Sequence, residues 1–595
     1  MFEEKLFTLS RIVFPDSDFA QDIDLFYRKK EYVMSFDTWM NLFAAKKWYS
    51  YCALGKLYLK VSATGKARID LYGHMLKKTE NLNNKLLSSV EVDFGNEQSE
   101  KVISVENAEN YDGISFSFIS DKDANAQFFG ASWCTDIPPV RNHRLAIATC
   151  TFKREAYIKK TIRKFSDFIK NNEDLSKKLH MFVIDNGKTL SPTIGNSYVD
   201  IVPNMNAGGA GGFCRGLMFA YDDNYSRCLF MDDDVEIFPE SFFRTLVLAE
   251  YFKEEYKDAF ISSPMMSIYD KSMCAENLTV QSELWLKGYY RNISVKNLYN
   301  CLKVIDIDKK LFDTVYTSSA WWYACFSTTL TKNEYPLPVF FRGDDAEWSW
   351  RFRGQHHVSM SGVCIWHAPF AWRVEKVADY YYLPRNMFWI NSIYTKNFKR
   401  DFNSLYNKKF NYLIQTYNYT CVELLLQAIK DILKGGEIYK ENPEVQYKRI
   451  SAFAKEMSNV VPCDDSVEFE NAKSSFITNR RSLKYIILRI IQIMTNGGLY
   501  FPQKLFFRKE GVAQDWSTPA VSFFLRKKVN VYNILTKTYE CRTFDRKRIK
   551  EYQKEYKNLM KKLTDNYDIL YKNLSDAHDE MTKRDFWNNY LELSK

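Results

Sequence analysis

Three consecutive carboxylates, Asp232-Asp233-Asp234, close the apolar run Cys228-Leu229-Phe230-Met231. Side chains alternate along a strand, so Asp232 and Asp234 leave its end on one side and Asp233 on the other. Two hard oxygen donors converging in this way suit Mg²⁺ or Mn²⁺. A solvated strand-to-loop turn gives the same triplet, because charge runs commonly lie on solvated faces, so the triplet alone decides nothing. Further along, Asp344-Asp345 precedes Ala346-Glu347. A carboxylate beside another anion has its proton affinity raised and can serve as a general base. The pair would also open a helix running through Arg351, and the two roles are compatible because a helix start favours a carboxylate. His367, in Cys364-Ile365-Trp366-His367, offers an imidazole that could close a metal shell, although a lone histidine is more often structural.

Between these groups, Asn206-Ala207-Gly208-Gly209-Ala210-Gly211-Gly212 leads into a helix. Its glycines let the backbone approach a phosphate, and the helix N-terminus behind them favours negative charge. A flexible loop is the other reading. The segment is neither a P-loop, which needs Gly-Lys-Ser/Thr, nor the dinucleotide fingerprint, which follows the first strand directly.

The elements that must position these residues are legible in outline. Residues 145–151 form a buried-strand run, 157–171 a helix, and 181–184 a second strand ending in Asp185-Asn186-Gly187. This rhythm predicts a parallel α/β sheet with ligands at the carboxyl ends of its strands, and the Asp triplet ends a later strand of that sheet. Upstream, the alternating stretches 57–62, 67–72 and 115–118 predict a β-sandwich. The aromatic-rich segment 35–51, with Trp39, Phe43, Trp48 and Tyr49, reads as packing against it more readily than as a glycan platform. Downstream, residues 422–434, 483–495 and 545–571 read as helices. The expected organisation is multidomain α+β: a β-sandwich over 1–140, a Rossmann-like α/β domain over 141–400 and a mainly helical domain over 401–595.

Composition sets the outer limits. The chain has 595 residues, 46% hydrophobic and 26% charged, with a net charge of +10. That length exceeds one core. The modest charge and the lack of an arginine-rich tract or nucleic-acid module argue against nucleic acid and toward anionic phosphates or a lipid surface. Twelve cysteines without a C-x-x-C pair look like reduced thiols of a cytosolic chain. The acidic start Phe2-Glu3-Glu4 does not fit a secretion signal. The run 485–501, broken by Arg489, Gln492 and Asn496, is too polar and short to span a membrane and reads as an amphipathic or buried helix. The basic stretches Arg526-Lys527-Lys528 and 542–550 fit either an anionic membrane face or solvated helix surfaces.

Eight motifs occur in order: Thr151-Phe152-Lys153-Arg154, Ile184-Asp185-Asn186-Gly187, the glycine segment from Asn206 to Phe213, Met231-Asp232-Asp233-Asp234, Trp321-Trp322, Asp344-Asp345-Ala346-Glu347, Trp366-His367 and Tyr381-Tyr382-Leu383-Pro384-Arg385-Asn386. With them the chain resembles glycosyltransferase family 2 enzymes of the GT-A fold. More narrowly, it is similar to the galactan-polymerising galactofuranosyltransferases. The resemblance implies a β-sandwich, a central GT-A domain and a helical C-terminal domain. It implies inverting, metal-dependent transfer of galactofuranose from UDP-galactofuranose to a growing cell-surface glycan, free or lipid-linked, at the cytoplasmic face of a membrane. Thr151, Arg154, Asp185, Asn206, Gly208, Gly209, Gly211, Gly212 and Asp233 would hold the nucleotide sugar. Asp232, Asp234 and His367 would hold Mn²⁺ or Mg²⁺, Asp345 would be the base, and Asp344, Trp321, Trp322 and Glu347 would place the acceptor. Gly343 stands where the family usually has Trp, and Phe370 where a larger aromatic is common. Alternatives are a related transferase with another donor, such as a rhamnosyl nucleotide, and a non-catalytic glycan-binding protein. Homo-oligomer formation is left open.

Overall fold

The computed structural model describes residues 5–77, 81–120, 126–282, 285–289, 291–306, 317–318, 320–369, 375–457, 460–462, 482–506, 511–514, 518–533 and 538–593. Two features read from the sequence, Phe2-Glu3-Glu4 and Phe370, lie outside the described residues. The chain divides into two compact units, one of Met1–Ser282, Leu286–Pro336 and Asp345–Pro369, the other of Glu283–Trp285, Leu337–Asp344 and Phe370–Lys595.

The first unit begins with two antiparallel sheets. One runs Phe7–Arg11, Gln127–Thr135, Leu57–Thr64, Ser99–Val105; the other runs Arg28–Lys30, Val33–Ser35, Gly113–Ser120, Lys66–Leu76, Leu82–Asp93. Their aromatic residues meet: Phe116 of the second sheet lies edge-on to Trp133 of the first, with Phe36 stacked on Phe116. Trp39, Phe43 and Trp48 are buried, so the aromatic segment builds core. Arg11 donates to the buried Glu240 carboxylate, and Trp39 Nε1 donates to Cys364 Sγ, which ties this region to the central elements.

The central sheet consists of β1 (Leu145–Thr151), β2 (Leu179–Asp185), β3 (Val199–Pro203), β4 (Arg227–Asp232), β5 (Phe260–Ser262), β6 (Ala324–Ser327) and β7 (His357–Val358). Their order is β3-β2-β1-β4-β6-β5-β7. All neighbours pair in parallel except β6, which is antiparallel to β4 and β5, so the sheet is mixed where a parallel one was expected. Helices α1 (Glu155–Lys170), α2 (Gly208–Asp222) and α3 (Glu240–Tyr251) connect its strands. The buried apolar runs of β1, β2 and β4 follow from helix cover on a parallel sheet. From β1 the chain winds outward through β2 and β3, then returns to the other side of β1 as β4. Strand order therefore reverses between β1 and β4, and at such a switch point the carboxyl ends of the strands open a crevice. A second sheet places Glu236–Ile237, Ile365–His367, Met265–Ser267 and Met273–Ser282 side by side in that order.

The second unit is mainly helical. Its helices include Leu383–Tyr394, Phe398–Gln415, Tyr419–Ile432, Pro443–Glu456, Leu483–Met494, Arg546–Asp565 and Tyr567–Met581. The single helix expected over 545–571 is two helices broken at Asn566, whose side chain turns back to the Lys562 carbonyl. A four-stranded sheet, Val460–Pro462, Thr538–Thr543, Lys528–Asn533 and Gly511–Gln514, was not legible because its strands are only three to six residues long and lie far apart in sequence. Among the described residues no helix is long and apolar enough to cross a membrane. The eleven described cysteines are free, nine of them buried.

Candidate active site

Register aligns three strand ends. Cys150 pairs with Asp232 and Thr151 with Asp185, so the ends of β1, β2 and β4 lie level at the switch point. The second sheet then delivers His367. Glu236, two residues beyond Asp234, pairs with Trp366, which sets His367 beside the triplet across 133 residues of sequence. Ligand atoms of Asp232, Asp234 and His367 all lie within 4.8 Å of one another. His367 is buried; its Nδ1–H donates to the Ala368 carbonyl (2.6 Å), and Nε2 lies 2.9 Å from Asp234 Oδ1. The backbone acceptor fixes the tautomer and leaves Nε2 as the ligating atom. Two carboxylates and one imidazole fit a hard or borderline divalent cation.

The electrostatics have the same character. Burial, opposed by His367, and then the charges of Asp234 and Asp233 push Asp232 up to about 7. Burial opposes charge on His367, but the hydrogen bond and charge of Asp234 outweigh it and raise the imidazole. Burial also raises Asp233 against the pull of Arg154. Crowded acids that hold protons this strongly are what a cation would relieve. Arg154, just before α1, sets Nη1 3.1 Å from Asp233 Oδ1 and 2.5 Å from Asp234 Oδ2. Arg154 thus joins the acids at the strand ends.

Other nucleotide-sugar candidates separate by environment. Asp185 is fully buried, and its carboxylate accepts backbone N–H groups of Gly187 (2.9 Å), Thr189 (2.7 Å) and Leu190 (2.7 Å). It shapes the turn after β2. Thr151 is buried at the end of β1. Asn206 accepts the Gly208 N–H (3.2 Å), and Gly208, at φ +69°, opens α2 with Gly209, both half-buried. Gly211 and Gly212 are buried inside the helix. A Cβ on Gly212 would stand 2.0 Å from Cys150 Sγ, and one on Gly216 2.5 Å from Ala148 Cβ. Gly212 of the run, with Gly216 beyond it, thus serves close packing of α2 on β1. Two asparagines that sequence reasoning passed over hold the turn: Asn186 Nδ2 donates to the Gly208 carbonyl (2.9 Å), and Asn204 Nδ2 donates to Asn186 Oδ1 (2.9 Å). Their nearness to Asp185 and Asn206 was the available signal.

The acceptor candidates also divide. Helix α4 (Asp344–Arg351) starts at the acidic pair. Asp345 Oδ1 accepts its neighbour's N–H at Ala346 (2.8 Å), and Asp344 is buried. Glu347 is fully buried and grips Arg351 twice, at 2.9 and 2.6 Å. Trp321 and Trp322 are buried; Trp321 packs edge-on to Phe213 and Phe230, and Trp322 Nε1 donates to the Ser263 carbonyl (2.9 Å). A buried acid of the second sheet, Glu276, was missed; it pairs with Arg291 (2.8 Å), and burial foremost, with the Asp345 charge contributing, raises its pKa. Its signal was a lone acid among the apolar residues of Cys274-Ala275-Glu276-Asn277-Leu278.

Within the second unit, the segment before Asp344 is held in an unusual backbone: Phe340 at φ +72°, Arg342 at +71° and Gly343 at +91°. Asn386 Nδ2 donates to the carbonyls of Val339, Phe341 and Arg342, and Arg342 pairs with Asp379 (3.2 Å). These contacts over-determine the strained turn. A Cβ at Gly343 would lie 3.0 Å from Ile390 Cδ1 in a region that disfavours L side chains, which accounts for glycine here.

Residues 9–136 match the family model described as galactofuranosyltransferase 2 N-terminal. Galactofuranosyltransferase GlfT2 of Mycolicibacterium smegmatis is 24% identical over 358 residues, covering 56% of this chain and 53% of the relative. GlfT2 of Mycobacterium tuberculosis is 22% identical over 433 residues, covering 68% and 66%. The chain therefore spans about half of the first relative and 66% of the second. A crystal structure of a mycobacterial protein, 10% identical with a TM-score of 0.27, covers 42% of this chain and 74% of its own, and is too loose a likeness to bear on the fold.

Proposed function

From a chain that resembles the GlfT2 galactofuranosyltransferases, we propose an inverting, metal-dependent GT-A glycosyltransferase that moves galactofuranose from UDP-galactofuranose to a growing glycan. The observation that carries the reading is the convergence of Asp232, Asp234 and His367 at the switch point of the central sheet. These three residues would hold Mn²⁺ or Mg²⁺. When bound, the cation would balance the negative charge developing on the diphosphate leaving group. Arg154 adds positive charge at the same strand ends, and the N-terminus of α2 at Gly209, with the Gly208 N–H held by Asn206, offers its backbone N–H to a phosphate oxygen. A carboxylate oxygen of Asp345 takes the proton of the acceptor hydroxyl as that oxygen attacks the anomeric carbon. Attack comes from the face opposite the diphosphate, so configuration inverts without a covalent enzyme intermediate. A glycan acceptor, free or lipid-linked, follows from the same reading.

The test is the product of the full chain with UDP-galactofuranose, Mn²⁺ and short galactofuranosyl acceptors, run beside a panel of other nucleotide sugars. The expected result is an extended acceptor with the furanose donor alone. Asp345→Asn should slow turnover about 10²–10⁴-fold while UDP binding is retained. Turnover with a rhamnosyl donor and none with UDP-galactofuranose would reject the donor, and an active Asp345→Asn would reject the base.

A further inference from the structure

The strand that carries His367 is seated from behind by the N-terminal region. Alternation along Ile365-Trp366-His367 sends Trp366 to the face opposite His367. On that rear face Phe19, fully buried, packs on Trp366 at 4.4 Å between ring centroids. Trp39, also fully buried, donates its Nε1–H to Cys364 Sγ (3.3 Å) just before the strand. The approach to the strand is held by the same region. Ser361 Oγ donates to the Leu42 carbonyl (2.7 Å), and the Gly362 carbonyl accepts from Arg244 Nη1 (3.2 Å), which also donates to the Met40 carbonyl (2.6 Å). Gly362 stands at φ +67°, and a Cβ there would lie 1.7 Å from that guanidinium nitrogen, so the turn is closed to any larger residue. Lys271 joins the pieces: its carbonyl accepts the Trp366 indole N–H (3.0 Å), and its ammonium lies 4.0 Å from the centre of the Phe19 ring and 3.2 Å from Glu236 Oε2. Glu236 is itself the strand partner of Trp366.

Strand pairing sets the register of His367 along the sheet, whereas packing behind Trp366 sets the height at which the imidazole meets the acids. That height matters, because a working constellation tolerates displacements of only about 0.5 Å, and the groups that orient a ligand govern how well it binds. None of the candidate ligands, bases or nucleotide contacts lies within 9–136, so the seat behind His367 is what links that region to the chemistry. We propose that the N-terminal region is a working part of the metal site: Phe19 and Trp39 are positioning residues that hold Ile365–His367 at the height from which His367 Nε2 meets Asp232 and Asp234. They act through His367, and the inference rests on the cation assigned above to those three ligands.

The experiment compares Phe19→Leu with Phe116→Leu in the full chain. Each removes a fully buried ring of the N-terminal region, but Phe116 packs on Phe36, Phe128 and Trp133 within the two sheets. Mn²⁺ affinity is read by electron paramagnetic resonance with UDP present, and hydrogen exchange of residues 364–368 is followed in the metal-free chain. Phe19→Leu should weaken Mn²⁺ binding by about tenfold or more and speed exchange over 364–368. Phe116→Leu, at a comparable loss of thermal midpoint, should leave both near the wild type. Trp39→Phe, which keeps a ring and removes the N–H donated to Cys364, should act in the same direction as Phe19→Leu by a smaller factor, and it decides the matter if Phe19→Leu does not fold. Mn²⁺ affinity equal to the wild type in Phe19→Leu and Trp39→Phe, or lowered as much by Phe116→Leu, would overturn the proposal, as would unchanged exchange over 364–368. A wild type that binds no Mn²⁺ would reject the metal reading itself; the exchange of the metal-free chain does not depend on that result, and the seat behind His367 then stands or falls on it.

Discussion

At the residue scale, identical chemistry serves different ends according to what surrounds it. Asp232 and Asp234 meet an imidazole and an arginine, whereas Asp185 is consumed by three N–H groups of its own turn. Mn²⁺ should raise UDP affinity in the wild type, and Asp232→Ala should abolish that gain; calorimetry of UDP with and without Mn²⁺ measures it. Glu347 was expected at the acceptor, yet it is buried in a two-bond pair with Arg351. Breaking a buried pair strands the remaining charge, so Glu347→Ala should cost about 3–5 kcal/mol in urea unfolding. An unchanged unfolding midpoint with a raised acceptor KM would restore the binding role.

At the element scale, glycine placement shows what a linear reading leaves open. Gly208 and Gly209 stand at the start of α2, while Gly212 and Gly216 let the helix sit against Cys150 and Ala148 of β1. Gly212→Ala should therefore destabilise by about 1–3 kcal/mol through overpacking, read as a lower thermal midpoint. The strands at 145–151, 181–184 and 228–231 were legible because buried parallel strands are continuous apolar runs. The antiparallel strand Ala324–Ser327 was not, since its direction depends on partners far away in sequence. The helix Leu483–Met494 was legible as a helix, but which face points outward depends on Gln415 and Ala520.

At the scale of the whole molecule, histidines kept neutral by burial tie the stability of the first unit to pH. Burial, with His356 adding to it, holds His357 at about 3, and burial with Arg227 does the same for the half-buried His143. An unfolded histidine titrates near about 6.5, so below that pH the unfolded chain binds the proton and the folded chain does not. The stability from a neutral His357 is complete above about pH 6.5 and is lost as pH falls toward 3, by up to about 1.4 kcal/mol per pH unit, with a smaller share from His143. Urea unfolding between pH 5 and 8 should show this slope, and His357→Gln should flatten it.

The order of motifs, the apolar strands, the helical texture after residue 400 and the pairing of hard ligands were all present in the sequence, because each rests on local composition or period-two and period-3.6 patterning. Tertiary structure alone decided which candidates share a site. His367 reaches Asp234 only through the pairing of Glu236 with Trp366, and Trp321 faces the core only because Phe213 and Phe230 lie against it. Such choices belong to register and packing between distant segments, and no local pattern encodes them.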